Sequence, residues 1–113
     1  MKNILSEIIT IGDEILYGHI LDTNAKWLSE KLNEIGIKSN KISTIGDNYN
    51  QINNTLKCSL KENHIIILTG GLGPTNDDIT KKCLNDCFSG KLVHDKKTLF
   101  HIKNIFKKRN LDF

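Results

Sequence analysis

Three times in this chain a run rich in isoleucine stops at a glycine, and one or two carboxylates follow before or within the next helix-forming stretch. ILSEIITI (4–11) closes at Gly12, Ile37 to Ile45 closes at Gly46, and Ile65 to Leu68 runs through Thr69 into Gly70. Short β-branched runs bounded by glycine are strand signals. The stretches between them carry apolar residues at helical spacing. Ala25, Leu28, Leu32 and Ile35 line one face of a helix that Asp22 or Thr23 can cap and Gly36 can end. Tyr49, Ile52, Leu56 and Leu60 form a second such face behind Asp47 or Asn48. Ile79, Cys83 and Cys87 mark a third helix, from about Asp77 to Phe88. Leu99, Ile102, Ile105 and Phe106 mark a fourth, with a basic outer face and Asn110 as its stop. Strand and helix alternating in this order specify a mostly parallel sheet with right-handed crossovers and helices on both faces, a three-layer α/β/α fold. The second strand alternates only in part and reads as lying near a sheet edge. The third, continuously apolar, reads as buried on both faces.

Ligands of such sheets collect beyond the carboxyl ends of the strands. The richest sequence there is IIILTGGLGPTNDDIT (65–80), which holds the only proline and three of the eight glycines. Gly70, Gly71 and Gly73 allow a tight turn or a close backbone approach, and a helix start behind such a turn favours a phosphate. The spacing is not GxGxxG, and no Lys-Ser or Lys-Thr pair follows as a P-loop requires. Asp77 and Asp78 would repel a phosphate directly. They must therefore act through a divalent cation or accept hydrogen bonds from neutral ligand groups such as ribose hydroxyls or ring N–H groups. Asp13 with Glu14, Asp47 and Asp78 follow three separate strands, so three pieces of sequence converge on one edge. The simpler roles for these acids are turn formation and helix capping.

The totals constrain the rest. At 113 residues with 38% hydrophobic and 26% charged residues, the chain holds one soluble domain, near the small end for three layers. A net charge of +3 is too small for a nucleic-acid footprint, and the cluster Lys96, Lys97, Lys103, Lys107, Lys108 and Arg109 reads as a solvated helix face. There is no run of about 18 apolar residues and no apolar leader, so no membrane is expected. Three cysteines without framework spacing suit a reducing, cytoplasmic compartment. Cys83 and Cys87 share a helix face and could take a metal with His94, but two further ligands at good spacing are not evident. Burial of small cysteines is the simpler reading. Trp27 reads as rim packing and His19 as a surface-loop residue.

The segments EIITIGDEILYGHILDTNAKWLSEKL (7–32), TIGDN (44–48) and TGGLGPTNDDIT (69–80) closely resemble the N-terminal domain of the CinA family, named for competence and damage inducibility and related to the MoaB and Mog group of molybdopterin-binding proteins. The resemblance implies the molybdopterin-binding fold. It also implies divalent-metal-dependent hydrolysis of ADP-ribose to AMP and ribose 5-phosphate, or, as in the molybdopterin relatives, binding of a pterin phosphate or its adenylate. Carried over by motif, Thr69, Gly70, Gly71, Gly73 and Thr75 would hold phosphate, with Asn24 a weaker transfer. Asp47 and Asp78 would be catalytic and hold the metal ion, with Asp13, Glu14 and Asp77 as further metal candidates. In the family the domain continues for several tens of residues with further strands, and a second domain linked to nicotinamide mononucleotide deamidation usually follows. Residues 1–113 are therefore expected to be the N-terminal portion of such a domain, C-terminally truncated. Its unpaired edge would favour a homo-oligomer, and a remnant without activity is the reading that chain length alone supports.

Overall fold

A computed structural model describes residues 3–72 and 79–113. The elements run β1 (Ile4–Ile11), α1 (Asp13–Leu16), α2 (Thr23–Glu34), β2 (Ile37–Ile45), α3 (Tyr49–Glu62), β3 (Ile65–Gly70), α4 (Ile79–Cys87) and α5 (Lys96–Lys108). Among the described residues the sheet has three parallel strands in the order β2-β1-β3. The first strand is thus central, and both later strands pair on it.

Alternation along β1 divides the core. Ile9 and Ile11 point into a cluster with Ile45, Ile52, Leu56 and Cys83, which joins the sheet to α3 and α4. Ile8 points the other way, into a smaller cluster with Ala25 and Leu32 of α2. Each fully buried isoleucine or leucine contributes roughly 1.5–3 kcal/mol relative to exposure, so the α3/α4 face carries more of the stability. Glu7, 1% exposed, shares that larger face. Its carboxylate accepts from Ser43 Oγ at 2.9 Å and Asn63 Nδ2 at 3.1 Å, which ties β1 to β2 and to the end of α3. Burial of a carboxylate is tolerable only when donors meet it in this way.

The caps follow the sequence closely. Asp22 accepts from Ala25 N at 3.0 Å at the start of α2, Asn48 rather than Asp47 accepts from Gln51 N at the start of α3, and Asp95 begins α5. Asn110 adopts a left-handed conformation (φ 54°) just past α5, a place where asparagine is tolerated.

Four expectations change. The acids after β1 open a short helix, α1, rather than a plain turn. The third strand is half-buried along its apolar run, because among the described residues it pairs only with β1 and its other edge is open. Ile35, placed on the apolar face by spacing, terminates α2 and is 71% exposed. In α5 no residue is buried, so its apolar stripe does not reach the sheet core. Trp27 is 58% exposed with Lys31 Nζ over its ring, as a rim residue should be. No helix among the described residues is long and apolar enough to cross a membrane.

Candidate functional site

Register brings the three strand ends together. Ile11 is paired with Ile45 on one side and with Gly70 on the other, so Gly12, Gly46 and Gly71 leave the sheet in one row. Gly12 N donates to Ile45 O at 2.9 Å, which fixes the first two turns side by side. Asp13 then reaches across the row: its Oδ1 accepts from Asp47 N at 3.0 Å. A Cβ on Gly46 would lie 2.5 Å from that same oxygen, so the bridge depends on a glycine there. Asp13 therefore fastens Asp47 to the central strand, and both residues are half-buried.

The third turn is the most constrained. Gly70 has φ +88°, and a Cβ there would sit 2.0 Å from the backbone oxygen of Ile11. The start of α4 closes onto this turn, Thr80 Oγ1 donating to Gly70 O at 2.9 Å and Thr80 N to Gly71 O at 3.3 Å. Beneath it, Thr69 Oγ1 lies 3.4 Å from Thr10 Oγ1, and Thr10 Oγ1 lies 2.5 Å from Asp22 Oδ2. Of the residues expected at the site, Asp13, Asp47, Thr69, Gly70 and Gly71 thus share one edge. Asn24 lies exposed in the first turn of α2, next to the Asp22 cap. Glu14 is exposed, and its carboxylate folds over Gly12. Gly73, Thr75, Asp77 and Asp78 lie outside the described residues.

Thr10 and Asp22 were missed as site-bordering residues by sequence reasoning, which left Thr10 inside a strand and Asp22 as a cap. The adjacency of Thr10 and Thr69 in the strand register is the signal that joins them.

One hollow flanks this edge, and another lies toward the amino end of β3. The first, of about 420 Å³, opens between the end of β2 and α3, lined by Leu16, Thr44, Gln51, Asn54 and Thr55 among others. Thr44, Gln51, Asn54 and Thr55 are neutral donors and acceptors suited to a sugar or base edge, while Leu16 and Ile45 give the hollow an apolar side. The other, about 230 Å³ between α3, α4 and β3, is mainly apolar, with Leu56, Leu60, Ile66, Leu68, Leu84 and Phe88, and holds no carboxylate and no glycine turn.

Among the described residues no group of three or more His, Cys, Asp or Glu could hold a metal. Asp13 and Asp47 alone suit a hard cation that keeps several waters and shares its shell with ligand phosphates, as Mg²⁺ does, rather than a closed protein cage. Cys83 is fully buried in the larger core cluster, and burial pushes its thiol pKa up. It packs as a small apolar residue, while Cys87 is half-buried and His94 exposed.

Comparison with known proteins agrees with this geometry. A family model described as a probable molybdopterin binding domain matches residues 7–111. A CinA-like protein of Cytophaga hutchinsonii is 49% identical over 104 residues, 92% of this chain and 25% of its own length. A CinA-like protein of Kosmotoga olearia is 47% identical over the same shares. The chain thus spans about a quarter of the length of these relatives. Among solved structures, a CinA protein of Thermoplasma acidophilum superposes with a TM-score of 0.81 at 28% identity, over 98% of this chain and 64% of that one. The tungsten cofactor synthesizing protein MoaB of Pyrococcus furiosus, at 22% identity and a TM-score of 0.68 over 76% of this chain and 54% of its own, shares the fold. With sheet, turns and sequence in agreement, the chain belongs to the molybdopterin-binding domain family, in its CinA-like branch.

Proposed function

We propose that the carboxyl edge of the sheet binds the pyrophosphate of an ADP-ribose-like nucleotide and, with a divalent cation, hydrolyses it to AMP and ribose 5-phosphate. The observation that carries this reading is the row of glycine turns in which Asp13 holds Asp47 by its backbone N–H at 3.0 Å. Backbone can approach a phosphate closely at Gly70 and Gly71, and Gly73 and Thr75 of the same sequence motif are assigned to the phosphate in this reading. Asp47 and Asp78 hold the cation, which when bound neutralises charge on the phosphoryl oxygens. Their carboxylates also accept from water and orient it toward phosphorus. In the reaction one P–O bond of the pyrophosphate breaks, the oxygen of water joins the phosphorus, and the departing phosphate oxygen takes up a proton. Gln51, Asn54 and Thr55 offer hydrogen bonds to the nucleoside. The three free cysteines suit a cytoplasmic setting.

A second reading is favoured by the family description and by the MoaB likeness: non-hydrolytic binding of a pterin phosphate or its adenylate, with Asp78 accepting from ring N–H groups. Incubation with ADP-ribose and Mg²⁺ separates the two. The first reading predicts AMP and ribose 5-phosphate in equal amounts, none after chelation, and none from a folded Asp78→Ala variant. Undiminished release by that variant sinks the assignment. Calorimetric binding of molybdopterin without turnover of ADP-ribose favours the second.

A further inference from the structure

The hydroxyls under the third glycine turn form a chain whose direction is set at one end. Asp22 uses Oδ1 to accept from Ala25 N at 3.0 Å, and its Oδ2 meets Thr10 Oγ1 at 2.5 Å. An ionised carboxylate only accepts, so Thr10 spends its single proton on Asp22. Thr10 is 3% exposed and has lone pairs left for a neighbour. Between these two hydroxyls of Thr10 and Thr69, 3.4 Å apart, only Thr69 has a proton left to donate. Its one proton thus points back into the sheet, and what it offers to the outside is lone pairs.

We propose that Asp22 is a positioning residue for the ligand site: through Thr10 it fixes Thr69 as an acceptor, so Thr69 receives a neutral donor group of the ligand, a hydroxyl or ring N–H, and does not hold phosphate. This rests on the reading that the ligand occupies the carboxyl edge of the sheet, and it reverses the part expected of Thr69 from the sequence motif.

Asp22→Asn makes a clean test. The amide oxygen keeps the α2 cap, and asparagine caps as well as aspartate. The amide nitrogen replaces Oδ2 and donates to Thr10. With its own proton no longer taken by residue 22, Thr10 is free to donate to Thr69, and in the proposed arrangement this releases the Thr69 proton toward the ligand. Titration calorimetry with inorganic pyrophosphate plus Mg²⁺ should show Thr69→Val alone changing affinity by less than about twofold, and Asp22→Asn raising it about tenfold, the size of one added charge-assisted hydrogen bond. Thr69→Val in the Asp22→Asn background should remove that gain. Equal loss on Thr69→Val in both backgrounds, or no gain in Asp22→Asn, overturns the inference.

If the wild-type chain binds neither pyrophosphate nor ADP-ribose, the site reading has failed, and the direction of the chain is decided by NMR without ligand. The buried Thr10 hydroxyl proton should be slow to exchange and far downfield, unmoved by Thr69→Val and lost from that position in Asp22→Asn. Its absence in the wild type, or its loss in Thr69→Val, overturns the inference equally.

Discussion

Gly70→Ala should cost on the order of 4 kcal/mol or more, a large share of the total stability of about 5–15 kcal/mol usual for a domain. Two terms add. An L-residue at φ +88° carries a conformational penalty of roughly 1–2 kcal/mol. The new methyl would also sit 2.0 Å from Ile11 O and 3.0 Å from Ile11 C, which are backbone atoms of the central strand. Relief requires parting β3 from β1 where they pair. Gly36→Ala supplies the control, since Gly36 has a similar φ of +82° and nothing within 4 Å of where the new methyl would lie. It should lose only the first term. Urea unfolding of both variants measures the difference, and equal losses would mean that the close approach of the strands at Gly70 is not a stability determinant.

Asp47→Asn should lower AMP release from ADP-ribose at least about 100-fold while moving the unfolding midpoint little, because removal of one preorganised charge at a reacting phosphate typically costs about 10²–10³ in rate. The substitution keeps the side-chain shape. It also keeps the backbone N–H that Asp13 accepts, so the turn stays anchored. A variant that retains activity would remove Asp47 from the catalytic assignment and leave it as a turn residue. Loss of folding with loss of activity would show that its charge serves the turn itself.

Much of this was legible in the sequence. Gly12 and Gly46 end their strands as expected, Asp22 and Asn48 cap where short polar residues precede apolar periodicity, and the alternation of strands and helices dictated a parallel sheet with helices on both faces. Each of these signals is local. What the sequence did not show depends on register or on neighbours distant along the chain. The half-exposure of β3 goes with its pairing, among the described residues, to β1 alone, which no residue within Ile65–Leu68 encodes. The exposed stripe of α5 has the same origin: amphipathic spacing shows that a helix has an apolar face, and tertiary placement decides whether that face meets anything. At the site, the convergence of Asp13 and Asp47 was readable because both follow strand ends. The bridge between them, and the chain from Thr69 through Thr10 to Asp22, required knowing that Thr10 stands beside Thr69 and Ile11 beside Ile45 and Gly70.

The most direct test of the site is a thermal unfolding curve of the chain alone and with ADP-ribose plus Mg²⁺. Binding to the native state raises the midpoint in proportion to ln(1 + [L]/Kd), so a ligand at about a hundredfold over its Kd should shift a domain of this size by several degrees or more. The expected result is a single cooperative transition that moves upward with both components together and fails to move in Asp47→Asn. A sharp transition that ADP-ribose and Mg²⁺ leave in place would contradict nucleotide binding at the carboxyl edge of the sheet.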